Sequence, residues 1–260
     1  MKFSIIGYPL AHSLSPRIYN TYFERISVNA HYTPLEIKPE EFEERIWEVV
    51  RDFRGFNVTI PHKERVIPFV ELDEESRVIG AVNCVCEGRG HNTDWIGFLR
   101  SLRDIKLVEP VTVVGAGGAA RAIMFGLAKL NVKNIHLVNR TIERAKHMAK
   151  LFSSIGLRIK VWDLPSLPRA VCESYTLINT TSLGLKGENL PLKPDEMRHL
   201  TLVYDVIYSE TPLQTMARKM GIPVVDGKAM LYHQAVENLK IWRLLKDPKA
   251  FEKVFKEVMS

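Results

Sequence analysis

Short apolar runs alternate along the chain with longer stretches in which apolar residues recur every three to four positions. Runs at 3–6, 111–114, 135–138, 175–178 and 202–206 are bounded by turn-forming residues and predict strands. Phe42, Ile46, Val49 and Val50 share one helical face, while Glu40, Glu41, Glu43, Glu44 and Glu48 load the start and the wet side of that helix. The strands are mostly unbroken apolar runs, the pattern of a parallel sheet covered by helices on both faces. The class is α/β.

The charged segment Arg103-Asp104-Ile105-Lys106 and then Pro110 precede a fresh strand and mark a joint. From Val111 to about Gly227 the strand–helix rhythm is regular, whereas 228–260 reads as almost wholly helical with a break at Asp247-Pro248. Helices without a sheet of their own must cover another, so the tail is expected to return to the first domain. The expected organisation is two domains. Residues 1–102 with 229–260 form an open twisted α/β domain, and 103–228 form a Rossmann-type α/β domain.

Composition changes this picture little. A chain of 260 residues with 46% hydrophobic and 25% charged residues has ordinary globular usage. The excess of 36 Lys plus Arg over 30 Asp plus Glu gives +6 and favours anionic ligands. The basic residues are scattered, without the basic and aromatic stripe of a nucleic-acid binder. Cys84, Cys86 and Cys172 are an odd set with neither disulfide-framework nor zinc spacing, which suits a reducing compartment. No metal is expected. No run approaches a membrane span and the N-terminus is too short for a signal-peptide core, so the reading is cytoplasmic.

The segment from Val111 to Arg121 is a strand, a glycine turn and the opening of a helix. Gly115 permits the turn, Gly117 lets backbone N–H groups approach a pyrophosphate, and Ala120 allows close helix–strand packing. Gly118 and Ala119 open a helix whose N-terminus favours anions. In an NAD site the next strand ends in an acid that binds the ribose 2′-hydroxyl. Here it ends in Asn139-Arg140-Thr141, with Arg144 one turn on. Two cations at a helix start oppose its dipole unless an anion such as a 2′-phosphate joins them. NADP is therefore expected over NAD; the alternative is a helix merely capped by Thr141 with both arginines solvated.

On the substrate side, His12-Ser13-Leu14-Ser15-Pro16 suits a helix start with Ser15 at the N-cap and Pro16 next. The same hydroxyls beside free N–H groups also suit a carboxylate. Lys63, after Asn57-Val58-Thr59-Ile60-Pro61, follows a strand end where α/β sites gather, or is an ordinary surface lysine. Asp94 either starts a helix or serves a site.

Together these segments, with Gly7-Tyr8-Pro9, Gly80-Ala81-Val82-Asn83, Asn179-Thr180-Thr181, Asp226-Gly227, Met230-Leu231 and Gln234, resemble the shikimate dehydrogenase family in order from Gly7 to Gln234. The resemblance implies NADPH-dependent reduction of 3-dehydroshikimate to shikimate, in aromatic amino-acid biosynthesis. It implies that Ser13 and Ser15 hold the substrate carboxylate and that Thr59, Asn83, Asp94 and Gln234 bind ring hydroxyls, with Tyr208 beside them. Lys63 and Asp94 match the catalytic pair. Gly115, Ala116, Gly117, Gly118, Ala119, Thr180 and Gly227 match cofactor positions, and Asn139, Arg140, Thr141 and Arg144 match a 2′-phosphate clamp. Leu185 stands where the family usually has methionine, and the loop after Tyr208 is shorter. The expected partners are the small-molecule substrate and cofactor, with no nucleic acid or membrane; a homodimer is compatible with the sequence.

Hydride arriving at the ketone carbon builds negative charge on oxygen, and an ammonium such as Lys63 can stabilise and protonate it. Two rivals remain at this stage. One is an NAD-preferring quinate/shikimate dehydrogenase, and the other is a shikimate-sensing module without turnover, against which the presence of both Lys63 and Asp94 counts.

Overall fold

The computed structural model describes residues 1–11 and 13–260. It divides into two compact units, Met1–Asp94 with Gln234–Ser260, and Trp95–His233. The elements in chain order are β1 (Lys2–Gly7), α1 (Ser15–Arg25), β2 (His31–Glu36), α2 (Phe42–Asp52), β3 (Gly55–Val58), β4 (Glu71–Leu72), α3 (Glu74–Ile79), β5 (Cys84–Cys86), β6 (Arg89–His91) and α4 (Asp94–Ser101). They continue with β7 (Val111–Val114), α5 (Gly118–Lys129), β8 (Asn134–Asn139), α6 (Ile142–Ser153), β9 (Arg158–Asp163), α7 (Leu167–Cys172), β10 (Thr176–Asn179) and α8 (Pro194–Met197). The last are β11 (Leu202–Asp205), α9 (Pro212–Lys219), β12 (Val224–Val225), α10 (Gly227–Ile241) and α11 (Pro248–Met259).

The first unit carries a six-stranded sheet in the order β2-β1-β3-β5-β6-β4. β1 runs parallel to β2 and β3, whereas β5 is antiparallel to β3 and to β6. The β5–β6 reversal follows from Glu87-Gly88, both at positive φ (49° and 78°), the conformation of a tight hairpin turn matched to strand twist. On one face, Ile6, Phe42, Ile46, Val49, Phe56 and Val85 form a core under α2. The C-terminal segment belongs to this unit: Trp242 is fully buried, with ring centroids 4.8 Å from Phe3 and 5.3 Å from Tyr19. Its indole Nε1 donates to Val85 O at 3.0 Å, and a Cβ on Gly55 would lie 2.5 Å from that nitrogen. Burial of this one large side chain over a glycine explains the tail's return.

The second unit is a wholly parallel sheet, ordered β12-β11-β10-β7-β8-β9. The chain enters at β7, winds outward to β9, and returns to place β10 on the other side of β7. The carboxyl ends of β7 and β10 therefore flank the topological switch point where doubly wound folds bind ligands.

The compact units divide at 94/95 and 233/234, near the expected joints of 102/103 and 228/229. Both lie inside continuous helices, α4 and α10. Phe98 packs edge-on to Tyr204 with centroids 5.1 Å apart and fills the space over Gly126, so all but the first residue of α4 belongs to the second unit. Among the described residues, no helix is long and apolar enough to cross a membrane.

Candidate active site

Four of the expected substrate and catalytic residues converge in the first unit. Lys63, in the segment after β3, donates from Nζ to Asp94 Oδ2 at 2.5 Å, with side-chain exposures of 14% and 8%. Asp94 is the first residue of α4, where a carboxylate complements the helix dipole. Its other oxygen, Oδ1, accepts from Asn83 Nδ2 at 2.8 Å. Asn83 is buried just before β5, and its amide sense is fixed by the backbone, because its Oδ1 accepts from Thr93 N at 2.6 Å. Gln234, on α10, turns its Oε1 toward Asn83 Nδ2 at 3.5 Å. An ammonium is thus held on a carboxylate that is itself oriented by an amide.

Ser15 approaches the same cluster through intermediaries. Ser15 is the first residue of α1, not its N-cap; Leu14 holds that position and its apolar side chain makes no cap, while Pro16 sits second in the helix. Ser15 neighbours the Tyr32 hydroxyl and lowers its pKa against the larger opposing effect of burial. Tyr32 donates to Asn57 Oδ1 at 2.7 Å, and Asn57 Nδ2 donates to Asn83 O at 3.0 Å. Burial pushes the Tyr32 and Tyr19 hydroxyls well above the ordinary tyrosine range, so both keep their protons. Ser13 is half-buried, with its N–H on Leu10 O at 2.9 Å; His12 lies outside the described residues. Thr59 is anchored by its N–H to Ile6 O at 2.9 Å and packs on Gly7, where a Cβ would lie 2.3 Å from the threonine methyl. Next to Lys63, His62 is buried against Phe42 with ring centroids 4.3 Å apart, and its Nε2 meets Ile37 O at 2.6 Å. A carbonyl only accepts, so Nε2 carries the proton; Nδ1 is buried without a partner, and burial pulls the pKa below the usual histidine value.

The expected dinucleotide positions lie in the second unit. Gly115 has φ 115°, and a Cβ there would lie 2.3 Å from Thr180 Oγ1. Thr180, just after β10, closes against β7 by donating from Oγ1 to Val114 O at 2.7 Å. A Cβ on Gly117 would meet nothing within 4 Å. Gly117 is also the N-cap of α5, with no side-chain cap and no acidic residue in the first turn. Open space over uncapped helix N–H groups fits a pyrophosphate. Ala116 is buried, while Gly118 and Ala119 are half-buried at the helix start. At the end of β8, Asn139 Nδ2 donates to Thr141 O at 2.7 Å. Thr141 does occupy the N-cap of α6, yet its hydroxyl makes no cap bond, and Arg140, Thr141 and Arg144 are all exposed. The residues present therefore fit an NADP-type dinucleotide.

One expected position has a packing explanation. Gly227 lies against β11's following loop, where a Cβ would sit 2.0 Å from Val206 O. Tyr208 is half-buried in the second unit, on a loop held by buried Asp205. That carboxylate accepts from Thr211 Oγ1 at 2.8 Å, Asn179 Nδ2 at 3.1 Å and Gln214 Nε2 at 3.2 Å. Burial raises the Asp205 pKa despite these donors. Sequence reasoning missed Asp205, Tyr19, Tyr32 and Asn238. A buried polar residue one turn after Gln234 on an otherwise apolar helix face is the signal that could have found Asn238.

Comparison with known proteins is consistent with this arrangement. A model described as the shikimate dehydrogenase substrate binding domain matches residues 5–85, and one described as shikimate / quinate 5-dehydrogenase matches 102–185. Shikimate dehydrogenase (NADP(+)) of Thermotoga maritima is 50% identical over 261 residues, covering 100% of both chains. The same-named protein of Dictyoglomus thermophilum is 40% identical, covering 92% of this chain and 90% of its own. Among solved structures, shikimate dehydrogenase from Thermotoga maritima superposes with TM-score 0.93 at 49% identity over 100% of each chain. The Thermus thermophilus shikimate 5-dehydrogenase, in complex with NADP(H) and shikimate, gives TM-score 0.84 at 32% identity over 99% of each.

Proposed function

The chain belongs to the shikimate dehydrogenase family, and from that premise we propose that Lys63 and Asp94 move the proton of its reaction. The enzyme is an NADP-dependent oxidoreductase that interconverts 3-dehydroshikimate and shikimate. The observation that carries the assignment is the 2.5 Å Lys63 Nζ–Asp94 Oδ2 contact in a buried amide network.

When bound, NADPH supplies the hydride to the ketone carbon. As charge builds on the ketone oxygen, the Lys63 ammonium stabilises it and gives it a proton, leaving a hydroxyl and a neutral amine. Asp94 holds Lys63 in place and favours its return to the ammonium. In the oxidative direction the neutral amine accepts the hydroxyl proton. Ser13 and Ser15 bind the carboxylate, Thr59, Asn83, Asp94 and Gln234 take the ring hydroxyls, and Tyr208 is a further substrate residue. Asn83 supports that role with an amide whose donor and acceptor ends are fixed, which discriminates hydroxyl patterns.

Gly115, Ala116, Gly117, Gly118 and Ala119 cradle the pyrophosphate, with Thr180 and Gly227 beside them. Asn139, Arg140, Thr141 and Arg144 bind the 2′-phosphate, supported by the absence of an acid at the end of β8 and the unused Thr141 hydroxyl. Residues 1–102 with 229–260 act as the substrate domain and 103–228 as the cofactor domain. Three free cysteines support a cytoplasmic setting.

The test is NADPH consumption with 3-dehydroshikimate, repeated with NADH and with the quinate series. Turnover with NADPH that is lost in Lys63→Ala supports the assignment. Equal rates with NADH, or binding without turnover, would favour the quinate/NAD or the sensing reading.

A further inference from the structure

Asn238 lies one turn after Gln234 on α10 and is fully buried. Its Oδ1 accepts from Thr93 Oγ1 at 2.7 Å, and its Nδ2 donates to Tyr19 OH at 3.0 Å and to Gln234 Oε1 at 2.9 Å. The sense of the bonds in this chain follows from one backbone group and from the shorter of the two contacts open to the Thr93 hydroxyl proton. Thr93 N–H donates to Asn83 Oδ1, so Asn83 presents Nδ2 to the Thr93 hydroxyl at 2.9 Å. The Thr93 oxygen is then an acceptor there, and its single proton goes to the shorter contact, Asn238 Oδ1, in preference to Asn83 Oδ1 at 3.2 Å. Asn238 must therefore turn Nδ2 toward Gln234, and Gln234 must answer with its oxygen.

We infer that Asn238 is a positioning residue that fixes the polarity of the Gln234 amide, so that Gln234 meets the substrate with its NH2 end and selects a hydroxyl oxygen as acceptor. The inference rests on the reading of Gln234 as a substrate ligand. A buried amide with both ends engaged cannot rotate without leaving donor against donor or acceptor against acceptor. Without Asn238, Gln234 Oε1 loses its 2.9 Å donor and keeps the longer 3.5 Å contact from Asn83 Nδ2, so its sense is held more weakly and substrate affinity falls by up to the worth of one oriented neutral hydrogen bond.

The experiment compares Asn238→Leu, Gln234→Ala and the double variant, measuring KM for shikimate, KM for NADP+ and kcat, with thermal unfolding as a control for folding. The expected result is a rise of about 5- to 10-fold in shikimate KM for Asn238→Leu, with NADP+ KM unchanged. In the Gln234→Ala background the same substitution is expected to change shikimate KM by less than about 2-fold, because the two act as one unit. Equal effects of Asn238→Leu in both backgrounds overturn the inference while leaving Gln234 a ligand. No effect of Gln234→Ala removes Gln234 from the site and the inference with it. Should Asn238→Leu fail to fold, Asn238→Asp keeps the shape and the Thr93 bond while removing the donor to Gln234. It must raise shikimate KM only where Gln234 is present, and a rise independent of Gln234 overturns the inference.

Discussion

Asp94→Asn exchanges a carboxylate for an amide of the same shape and tests how the pair is held. Asp94 accepts on Oδ1 from Asn83 at 2.8 Å and on Oδ2 from Lys63 at 2.5 Å. An amide has only one oxygen, so whichever way the substituted side chain turned, an NH2 would face a donor. Asn83 cannot turn to relieve it, because its Oδ1 is held by Thr93 N at 2.6 Å. The lost charge-assisted bond is worth about 1.5–3 kcal/mol, and the unmet donor costs about 1–3 kcal/mol. Lys63 retains 14% side-chain exposure, so water relieves part of this. The expected loss of unfolding free energy is about 2–3 kcal/mol, below the ~3–5 kcal/mol of a fully buried pair. With Lys63 no longer fixed, kcat for shikimate is expected to fall about 100-fold, or ~2.7 kcal/mol of barrier. Urea unfolding and NADPH absorbance read the two effects. A variant within threefold of the parent kcat and equal in stability would refute the reasoning.

The glycines separate fold from ligand. Gly117→Ala should cost no more than about 1 kcal/mol of stability, the worth of an N-cap preference, since nothing lies within 4 Å of its Cβ, yet weaken NADP+ binding by roughly tenfold or more. Gly115→Ala, at φ 115° against Thr180, should lower unfolding free energy by at least about 1–3 kcal/mol. Calorimetric binding to Arg140→Ala and Arg144→Ala should show about a 10- to 100-fold loss for NADP+ with little change for NAD+; equal losses for both would contradict the clamp. His62 is held neutral by burial, with a folded pKa below the unfolded value. Its contribution to stability is complete above about pH 6.5 and is lost as pH falls below that, until the folded pKa is also passed. His62→Phe should flatten that limb of a stability-against-pH curve, and an unchanged limb would assign it to another group.

How much of this was legible depends on the range of the interactions. The strands at Val111–Val114 and Leu202–Asp205 stood out because a sheet covered on both faces demands unbroken apolar runs. The glycine turn after β7 was readable because Gly115 and Gly117 answer local backbone demands. Lys63, Asn83, Asp94 and Gln234 were named by their resemblance to a family, since spacing alone cannot show that residues 31 or 151 positions apart are hydrogen-bonded. Ser15 fell one place inside its helix. The compact units divide inside α4 and α10 rather than at the charged and proline-marked chain that suggested the joints, because both helix backbones continue across the division. Asn238, Tyr19 and Asp205 escaped because a polar residue on an apolar stripe gives no hint of which distant group it will satisfy. Gly227 read as a cofactor position, and the structure adds a steric demand from Val206 O that no local pattern encodes.

The account stands on a proton held by Lys63 where the ketone oxygen reacts. Single-turnover hydride transfer in Lys63→Met, followed by NADPH absorbance at saturating substrate, tests it together with the directly titrated affinity for shikimate. The account predicts a rate at least ~100-fold below the parent, with affinity changed by no more than a few fold. An undiminished transfer rate with weakened shikimate binding would contradict it.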